Sequence, residues 1–433
     1  IAMTVPSATK QFAPLKSLDE AMAELLAQAL PLTETERVST FDADGRVLAQ
    51  DVVSQLQVPP MDNSAMDGYA VRCADVPAAG TVLPVSQRIA AGAVGTPLAA
   101  GSMARIFTGA PVPPGADAIV MQEDCEVVSA AGDDGLAQVR INRLPEPGKS
   151  IRRAGEDVAL GAVVLARGTR LTPAELGLAA SIGMATLPVA ARPRVALFST
   201  GDELVMPGTV PPAEMQPGAI YNSNRFFLRA LLQRLGCVVT DFGIVPDQRA
   251  ATLQALRDAS LAHDLILTSG GVSVGEEDHV KPAVQELGEL NLWQIAIKPG
   301  KPFAYGKIRS PVVKPGPERA PCHFIGLPGN PVSSFITFLL LVRPFLLKLQ
   351  GVQQLRPTPV ALPAHFDWPR ADKRREFLRV RRNAEGGLSL FRNQSSGLLT
   401  STVWGDGVID VAPGHAIVQG EMVQFISFAE LLA

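Results

Sequence analysis

The chain has 433 residues, and at ~150 residues per domain that length points to about three domains. Apolar residues make up 47%, charged residues 19%, and the net charge is -3. This balance can fill several cores and gives no reason to expect nucleic acid or an anionic membrane as a partner.

Residues 1–12 hold no basic segment followed by an apolar core, so no signal peptide is expected. Cys73, Cys125, Cys237 and Cys322 form no CxxC pair and no metal spacing with histidine. They read as reduced, mostly buried thiols, in keeping with a reducing, cytoplasmic compartment. Ser17-Leu18-Asp19-Glu20 reads as a capping box opening a helix that runs through Leu30 and stops at Pro31. Over 51–153, short Val/Ile/Ala runs broken by glycine and proline predict β-structure, with hairpins at 81–100 and 129–139. Thr172-Pro173-Ala174-Glu175 opens a second capped helix, stopped by Gly183.

The character changes at Arg192. A continuous apolar run over 194–199 predicts a strand buried on both faces. A helix over 224–235, a strand over 237–245, a helix over 249–261 and a strand over 264–268 follow. Then come a helix over 280–287, a strand over 292–297 and a helix over 331–349. This alternation predicts a doubly wound parallel α/β sheet. The most apolar stretch, 335–349, contains Arg343, Pro344 and Lys348 and is expected to be too short and too polar to span a bilayer. Residues 358–433 read as a small β-domain with hairpin signals at Glu385-Gly386-Gly387 and Gly405-Asp406-Gly407.

In an open parallel sheet, ligands bind at the carboxyl ends of the strands. Every predicted strand here ends in a loop loaded with glycine or charge. These loops are Ser199-Thr200-Gly201-Asp202-Glu203, Pro246-Asp247, and 269–275 followed by Glu276-Glu277-Asp278. Lys298-Pro299-Gly300-Lys301-Pro302 and Gly326-Leu327-Pro328-Gly329-Asn330-Pro331 complete the set. Any one of them is ordinary turn chemistry; all of them on one rim point to a binding site. Backbone N–H groups of Ser269, Gly270, Gly271, Ser273 and Gly275 can face one concavity, and the next helix adds its positive end, which favours phosphate or another oxyanion. Lys298 and Lys301 add point charges on a proline-stiffened loop. Asp202, Glu203, Glu276, Glu277 and Asp278 beside a bound phosphate call for a hard divalent cation, with Mg2+ the first candidate. Glu276 and Glu277 read equally well as acids of a helix N-terminus.

The histidines, His263, His279, His323, His365 and His415, make no HExxH and no pair. With no nucleophile–base arrangement, the chemistry rests on positioning, metal and electrostatics. Two acidic motifs, 61–70 and 152–157, lie outside the α/β region; composition alone reads them as a turn and an ion-pair network.

These motifs resemble the molybdopterin molybdenumtransferases, the MoeA-type enzymes and the related E-domain of gephyrin. The matching stretches are PPMDNSAMDGYAVR from Pro59, IFTGAPVPPGADAIVMQE from Ile106, IRRAGEDV from Ile151 and ALFSTGDEL from Ala196. SGGVSVGEEDHVK from Ser269, AIKPGKPFAYG from Ala296 and GLPGNPVSSF from Gly326 continue in family order, so the resemblance covers nearly the whole chain. Met61, His279 and Gln294 stand where family members often carry Phe, often Tyr and sometimes Lys.

The resemblance implies a four-part subunit in a head-to-head homodimer. A discontinuous helical part joins 15–51 with 151–189, and a β-domain over 52–150 is inserted between them. The α/β domain over 190–350 binds the pterin nucleotide, and a small β-barrel-like domain over 351–433 closes one side of the cleft. Asp67, Thr108, Glu156 and Asp157 would approach the partner's rim, completing the cleft across the dimer. The implied reaction is adenylyl-molybdopterin plus molybdate giving molybdenum cofactor plus AMP. Asp202, Glu203, Asp247 and Asp278 would hold Mg2+ or the nucleotide. Lys298 and Lys301 would attract molybdate and the pterin phosphate, with Arg375 and Ser396 as further candidates for the molybdate pocket. Transient contact with the adenylyltransferase and with molybdenum apo-enzymes is expected. The alternatives are the preceding step, adenylylation of molybdopterin, and a non-catalytic gephyrin-like scaffold. The extra β-parts and the GEDV cluster argue against the first. The lack of an adenylylating domain and long linker, together with Asp67, Asp157, Asp278 and Lys298, argues against the second.

Overall fold

The computed structural model describes residues 15–130, 136–246, 248–271, 279–309 and 320–432. The first helix, α1 (Leu18–Gln28), is closed by the expected capping box: the Ser17 N–H donates to Glu20 Oε2 at 2.8 Å, and the Glu20 N–H donates to Ser17 Oγ at 3.2 Å. It ends at Gln28, because Ala29 is already extended, so Leu30 lies outside it. Leu18, Ala21, Met22 and Leu25 form one buried stripe at helical spacing. That stripe packs into the core of the α/β sheet beside Leu228, Phe345 and Leu349. The helix is therefore a layer of the α/β unit and shares no core with the second capped helix, α2 (Pro173–Ser181).

That second helix has the expected Thr172–Glu175 box, with Gly183 at φ 82° beyond its end. It covers two small antiparallel sheets, Thr35–Ser39 with Thr186–Ala190 and Val52–Val53 with Val163–Leu165. Leu48, Val52, Leu165, Ala179, Leu187 and Val189 fill the core between them. Of the discontinuous segment expected to be helical, α1 thus packs with the α/β unit, and the remainder is mostly strand and turn around α2 and a 3-10 turn, Thr40–Asp42.

The inserted segment holds a six-stranded sheet in the order Ala118–Met121, Gly68–Val71, Met103–Ile106, Thr81–Ile89, Gln138–Ile141, Cys125–Ser129. The expected hairpin over 81–100 does not form. Thr81–Ile89 runs parallel to Met103–Ile106, and the chain between them loops back, its Thr96 N–H held by Gln87 Oε1 at 2.9 Å. The later hairpin pairs Cys125–Ser129 with Gln138–Ile141 in antiparallel fashion; part of its turn, 131–135, lies outside the described residues.

The α/β unit is a six-stranded sheet built from β1 (Arg194–Thr200), β2 (Val238–Val245), β3 (Leu265–Ser269), β4 (Gly288–Gln294), β6 (Pro302–Ile308) and β7 (Cys322–Leu327), in the order 2-1-3-7-6-4. A short β5 (Ile297–Lys298) lies in the connection between β4 and β6. Helices α3 (Asn224–Arg234), α6 (Pro331–Thr337) and α7 (Arg343–Leu349) join α1 on one face. Helices α4 (Arg249–Ala262) and α5 (Val280–Leu287) cover the other. Both faces are sealed, which is why β1 and β3 read as continuous apolar runs.

Strands β2, β1, β3 and β7 are parallel, but β6 is antiparallel to β7, and β4 is antiparallel to β6. The expectation of an all-parallel sheet is corrected here. The connection from Gln294 to Pro302 is too short for a crossover of about a dozen residues, so it can only make a hairpin. Helix α6 continues through a π-helical turn, Phe338–Val342, into α7. The stretch Pro331–Leu349 is 19 residues, long and apolar enough to cross a membrane by length and composition, and is 83% buried inside the protein. The helix keeps its expected bounds, 331–349, and its burial is that of a core helix of the α/β unit.

The C-terminal segment forms a sheet in the order β5, β8 (Arg375–Arg382), β9 (Gly407–Val411), β10 (Met422–Ser427), Val360–Pro363. Leu388–Leu390 pairs with β8 across the Glu385-Gly386-Gly387 turn, and Leu388 bridges Ala364, which brings the sheet back on itself. Gly405-Asp406-Gly407 leads from a short helix, Thr400–Trp404, into β9 and makes no hairpin. Leu25 is fully buried between α1 and the sheet. Leu25→Ala should lower stability by ~2–5 kcal/mol, seen as a lower denaturation midpoint with an unchanged far-ultraviolet spectrum.

Candidate functional site at the strand ends

The sheet register gathers the loops. Thr200 faces Val245, Ser199 faces Ser269, and Ser269 faces Leu327, so the carboxyl ends of four parallel strands finish level. Gln294 faces Pro302, and Ala304 faces Gly326, which puts the β4–β6 hairpin loop on the same edge. The rim predicted from parallel topology therefore exists, although one of its loops is a hairpin.

Close packing explains the glycines of this rim. A Cβ on Gly270 (φ 89°) would lie 2.8 Å from the Thr200 carbonyl oxygen, and one on Gly271 (φ 69°) would lie 2.9 Å from Val280 Cγ2. Neither clash can be relieved cheaply, so the Ser269 loop folds back tightly over the end of β1. Gly201 (φ 138°) lies under the Glu203 carboxylate, whose oxygens come within 2.6–2.9 Å of where a Cβ would sit. Asp202 and Glu203 are exposed. Asp247, Ser273, Gly275 and Asp278, with Glu276 and Glu277, lie outside the described residues.

Pro328, Gly329, Asn330 and Pro331 lead into α6, with Asn330 as its N-cap. The Val332 N–H donates to the Ser396 carbonyl at 3.0 Å, so the C-terminal segment touches the rim at the residue expected there. The side-chain hydroxyls of Ser199, Thr200, Thr268, Ser334 and Thr337 are buried around this edge and have no hydrogen-bond partner among the described residues.

The lysine loop differs from expectation. Lys298 is not a free cation: its Nζ lies 3.2 Å from Asp372 and 3.0 Å from the buried Glu376, both on the C-terminal segment. Burial opposes its charge, but hydrogen bonds to Glu376 and Asp372 outweigh that and hold the ammonium above the ordinary lysine range. The loop backbone is fixed as well, since β5 pairs with β8 through Ile297↔Arg375 and Lys298↔Glu376. Lys301 is exposed, with its carbonyl bonded to the Ile295 N–H at 2.7 Å.

Arg375 is likewise engaged. Its guanidinium grips Asp410 through two hydrogen bonds of 2.6 and 2.5 Å and reaches Asp19 at 3.1 Å. Because neighbouring residues of a strand face opposite ways, it points away from the side on which Glu376 meets Lys298. The arginine that sequence reasoning missed is Arg379. It is fully buried and donates only to neutral acceptors: Ser401 Oγ at 3.1 Å, the Phe377 carbonyl at 3.2 Å and the Ser395 carbonyl at 3.1 Å. Burial pushes it down to about 10. Among the described residues no carboxylate reaches this guanidinium, and it stands directly behind the loop that carries Ser396. An unpaired buried cation is costly, and its charge raises the positive potential at that loop. The one available signal in the sequence was its place on a strand flanked by apolar residues.

The acidic motifs come together with each other. The Thr108 N–H and hydroxyl both donate to Asp67 Oδ1 at 2.8 Å, and these bonds hold the Asp67 carboxyl below the usual range. Asp62 accepts from Arg153 Nη1 at 2.6 Å and from the Ala154 N–H at 2.8 Å. Glu156 Oε2 accepts from the Arg153 N–H at 2.9 Å, and the Asp157 N–H donates to the Val58 carbonyl at 3.0 Å. Among the described residues, no hydrogen bond or ion pair joins this group to the strand-end rim of the same chain.

Fold and rim together define a multidomain α/β protein whose strand ends finish level in glycine-rich loops. Comparison with known proteins agrees with this. The MoeA N-terminal region (domain I and II) matches residues 16–183, a probable molybdopterin binding domain matches 196–348, and the MoeA C-terminal region (domain IV) matches 361–428. A molybdopterin molybdenumtransferase from Haemophilus influenzae is 42% identical over 343 residues, 79% of this chain and 80% of that protein. Molybdopterin molybdenumtransferase 2 from Mycobacterium tuberculosis is 40% identical over 83% of this chain and 85% of its own length. The crystal structure of a molybdopterin biosynthesis moeA protein from Pyrococcus horikoshii superimposes with a TM-score of 0.80 at 28% identity, covering 96% of this chain and all of that one. The chain belongs to the molybdopterin molybdenumtransferase family.

The Asp372 carboxyl, clasped first by Arg374 and then by Lys298, is held well below the usual carboxylate range. A depressed folded pKa contributes stability that is fully present above the unfolded value near ~3.9 and is lost as pH falls toward the folded one. Asp372→Asn should therefore destabilise the protein by about 1–2 kcal/mol at pH 7. The gap to wild type should narrow below about pH 4, as measured by denaturant titration across pH.

Proposed function

We propose that this chain inserts molybdenum, supplied as molybdate, into molybdopterin presented as its adenylyl derivative, with AMP as the leaving product. The observation that carries this reading is the level set of strand ends. It joins two glycine loops, exposed carboxylates and the lysine loop on one edge. Backbone N–H groups there can bind the phosphates, while Lys301 and the field of Arg379 favour a second oxyanion from the C-terminal side. The family matches cover the inserted, α/β and C-terminal parts together, which favours insertion over adenylylation or a scaffold.

The rim suits Mg2+. Asp202 and Glu203 offer exposed carboxylate oxygens, and this ion takes one or two carboxylates together with substrate phosphates. When bound, it supplies positive charge that neutralises phosphate oxygens. Among the described residues, the Asp67–Thr108 and Glu156–Asp157 groups make no hydrogen bond or ion pair with the rim of their own chain, which supports a homodimer in which they face the partner's rim. A cytoplasmic setting, with passing contacts to the adenylyltransferase and to molybdenum apo-enzymes, follows from the same reading.

AMP release from adenylyl-molybdopterin and molybdate, coupled to reconstitution of a molybdenum apo-enzyme, tests this function. Turnover should stop in EDTA and return with Mg2+; unchanged turnover under chelation would remove the metal from the scheme. Lys301→Ala should weaken molybdate use roughly tenfold to a hundredfold, the equivalent of ~1–3 kcal/mol, with partial rescue at high molybdate. An unchanged molybdate dependence would move the oxyanion pocket off this loop.

A further inference from the structure

The two glycine loops leave adjacent strands. Pairing persists one residue beyond the sheet, where the Gly270 N–H donates to the Leu327 carbonyl at 3.1 Å, and then the loops part. One side chain spans the place where they separate. Asn224, the first residue of α3 and 8% exposed, donates from Nδ2 to Ser269 Oγ at 2.7 Å and to the Gly329 carbonyl at 2.7 Å. We infer that Asn224 is the positioning residue that fixes the separation of the Ser-Gly-Gly and Pro-Gly-Asn-Pro loops, and so sets the width of the phosphate cradle.

The chemistry selects this side chain. A primary amide offers two N–H donors from one nitrogen, which matches one hydroxyl and one carbonyl on two different loops. Aspartate offers none when ionised, serine offers one, and glutamine would carry the nitrogen a methylene too far. The neighbourhood is built to keep the loops apart from the protein side alone. A Cβ on Gly270 would strike Thr200, whereas one on Gly329 would meet nothing within 4 Å, so the Pro-Gly-Asn-Pro loop is open outward. Ser199, level with Ser269 on the next strand, keeps a buried hydroxyl without a partner among the described residues, as does Ser334 in the first turn of α6. The floor beneath the tether is thus polar and not fully satisfied, as expected where a ligand completes it.

The inference rests on the nucleotide reading of this rim, and AMP is the probe. Titration calorimetry with the full chain in Mg2+ should show Asn224→Ala binding AMP roughly tenfold or more weakly than wild type, as for loss of buried hydrogen bonds. Asn224→Asp gives a second measure. Its ionised carboxylate would face the Gly329 carbonyl and repel it, and its protonated form regains one donor. The ratio of its AMP affinity to that of wild type should rise as pH falls from 8 to about 5.5, in the range where a buried carboxyl takes up its proton. The titratable groups of the neighbouring loops, Asp202, Glu203, Asp247, Glu276, Glu277, Asp278 and His279, are common to wild type and variant and cancel in the ratio. Helix α6 and strand β3 carry none, Arg194 of β1 lies at the far end against Asp264, and Arg225 of α3 is paired with Asp241 of β2. If Asn224→Ala fails to fold, the ratio for Asn224→Asp decides alone. Equal AMP affinity in wild type and Asn224→Ala, or a ratio independent of pH, overturns the positioning role. Absence of AMP binding by wild type overturns the nucleotide reading and this inference with it.

Discussion

Parallel strands buried on both faces leave only their ends for polar chemistry, and in this chain the register of β1, β3 and β7 makes those ends level. The rest follows from that constraint. Helices must seal both faces, so α1 is recruited from the far N-terminus to complete one layer. The loops at the level edge must pass one another without side chains in the way, so glycine stands where Thr200 and Val280 press closest. Hydroxyls that close the strands, such as Thr268, are buried with no partner among the described residues. Donors in surplus and a lack of bulk are the features that suit an edge to an oxyanion.

Local signals were legible in the sequence because their physics is local. Both capping boxes place reciprocal hydrogen bonds three residues apart, and both helices start where those boxes stand. The buried strands announced themselves as apolar runs, and the glycine loops by composition. What escaped was non-local. Nothing near Ser17 says that its helix packs on the α/β sheet, because that depends on a stripe meeting Phe345 and Leu349. Strand β4 looked like one more parallel strand, since direction is set by connection length and not by apolar pattern.

The charged residues make the same point. Lys298, Arg375 and Arg379 look alike as basic residues in a sequence, yet their partners differ entirely. Two carboxylates hold Lys298, two others hold Arg375, and Arg379 has only carbonyls and a hydroxyl. Formal charge therefore overstates the positive potential of the lysine loop and misses that behind Ser396. At an effective dielectric near ~20, a charge about 4 Å away is worth of order 4 kcal/mol before desolvation. A neighbouring carboxylate thus decides whether a cation is available to a ligand.

Strand β5 belongs to two units at once: it sits in the hairpin loop of the α/β sheet and forms the edge strand of the C-terminal sheet. Its backbone pairing and the Lys298 ion pairs act as a drive shaft between the two bodies. Any rotation of the C-terminal unit would be transmitted to Lys301, while Ser396, riding on the same unit, would turn with it against the mouth of α6. Lys301 and Ser396 are thus mechanically linked through one pair of strands.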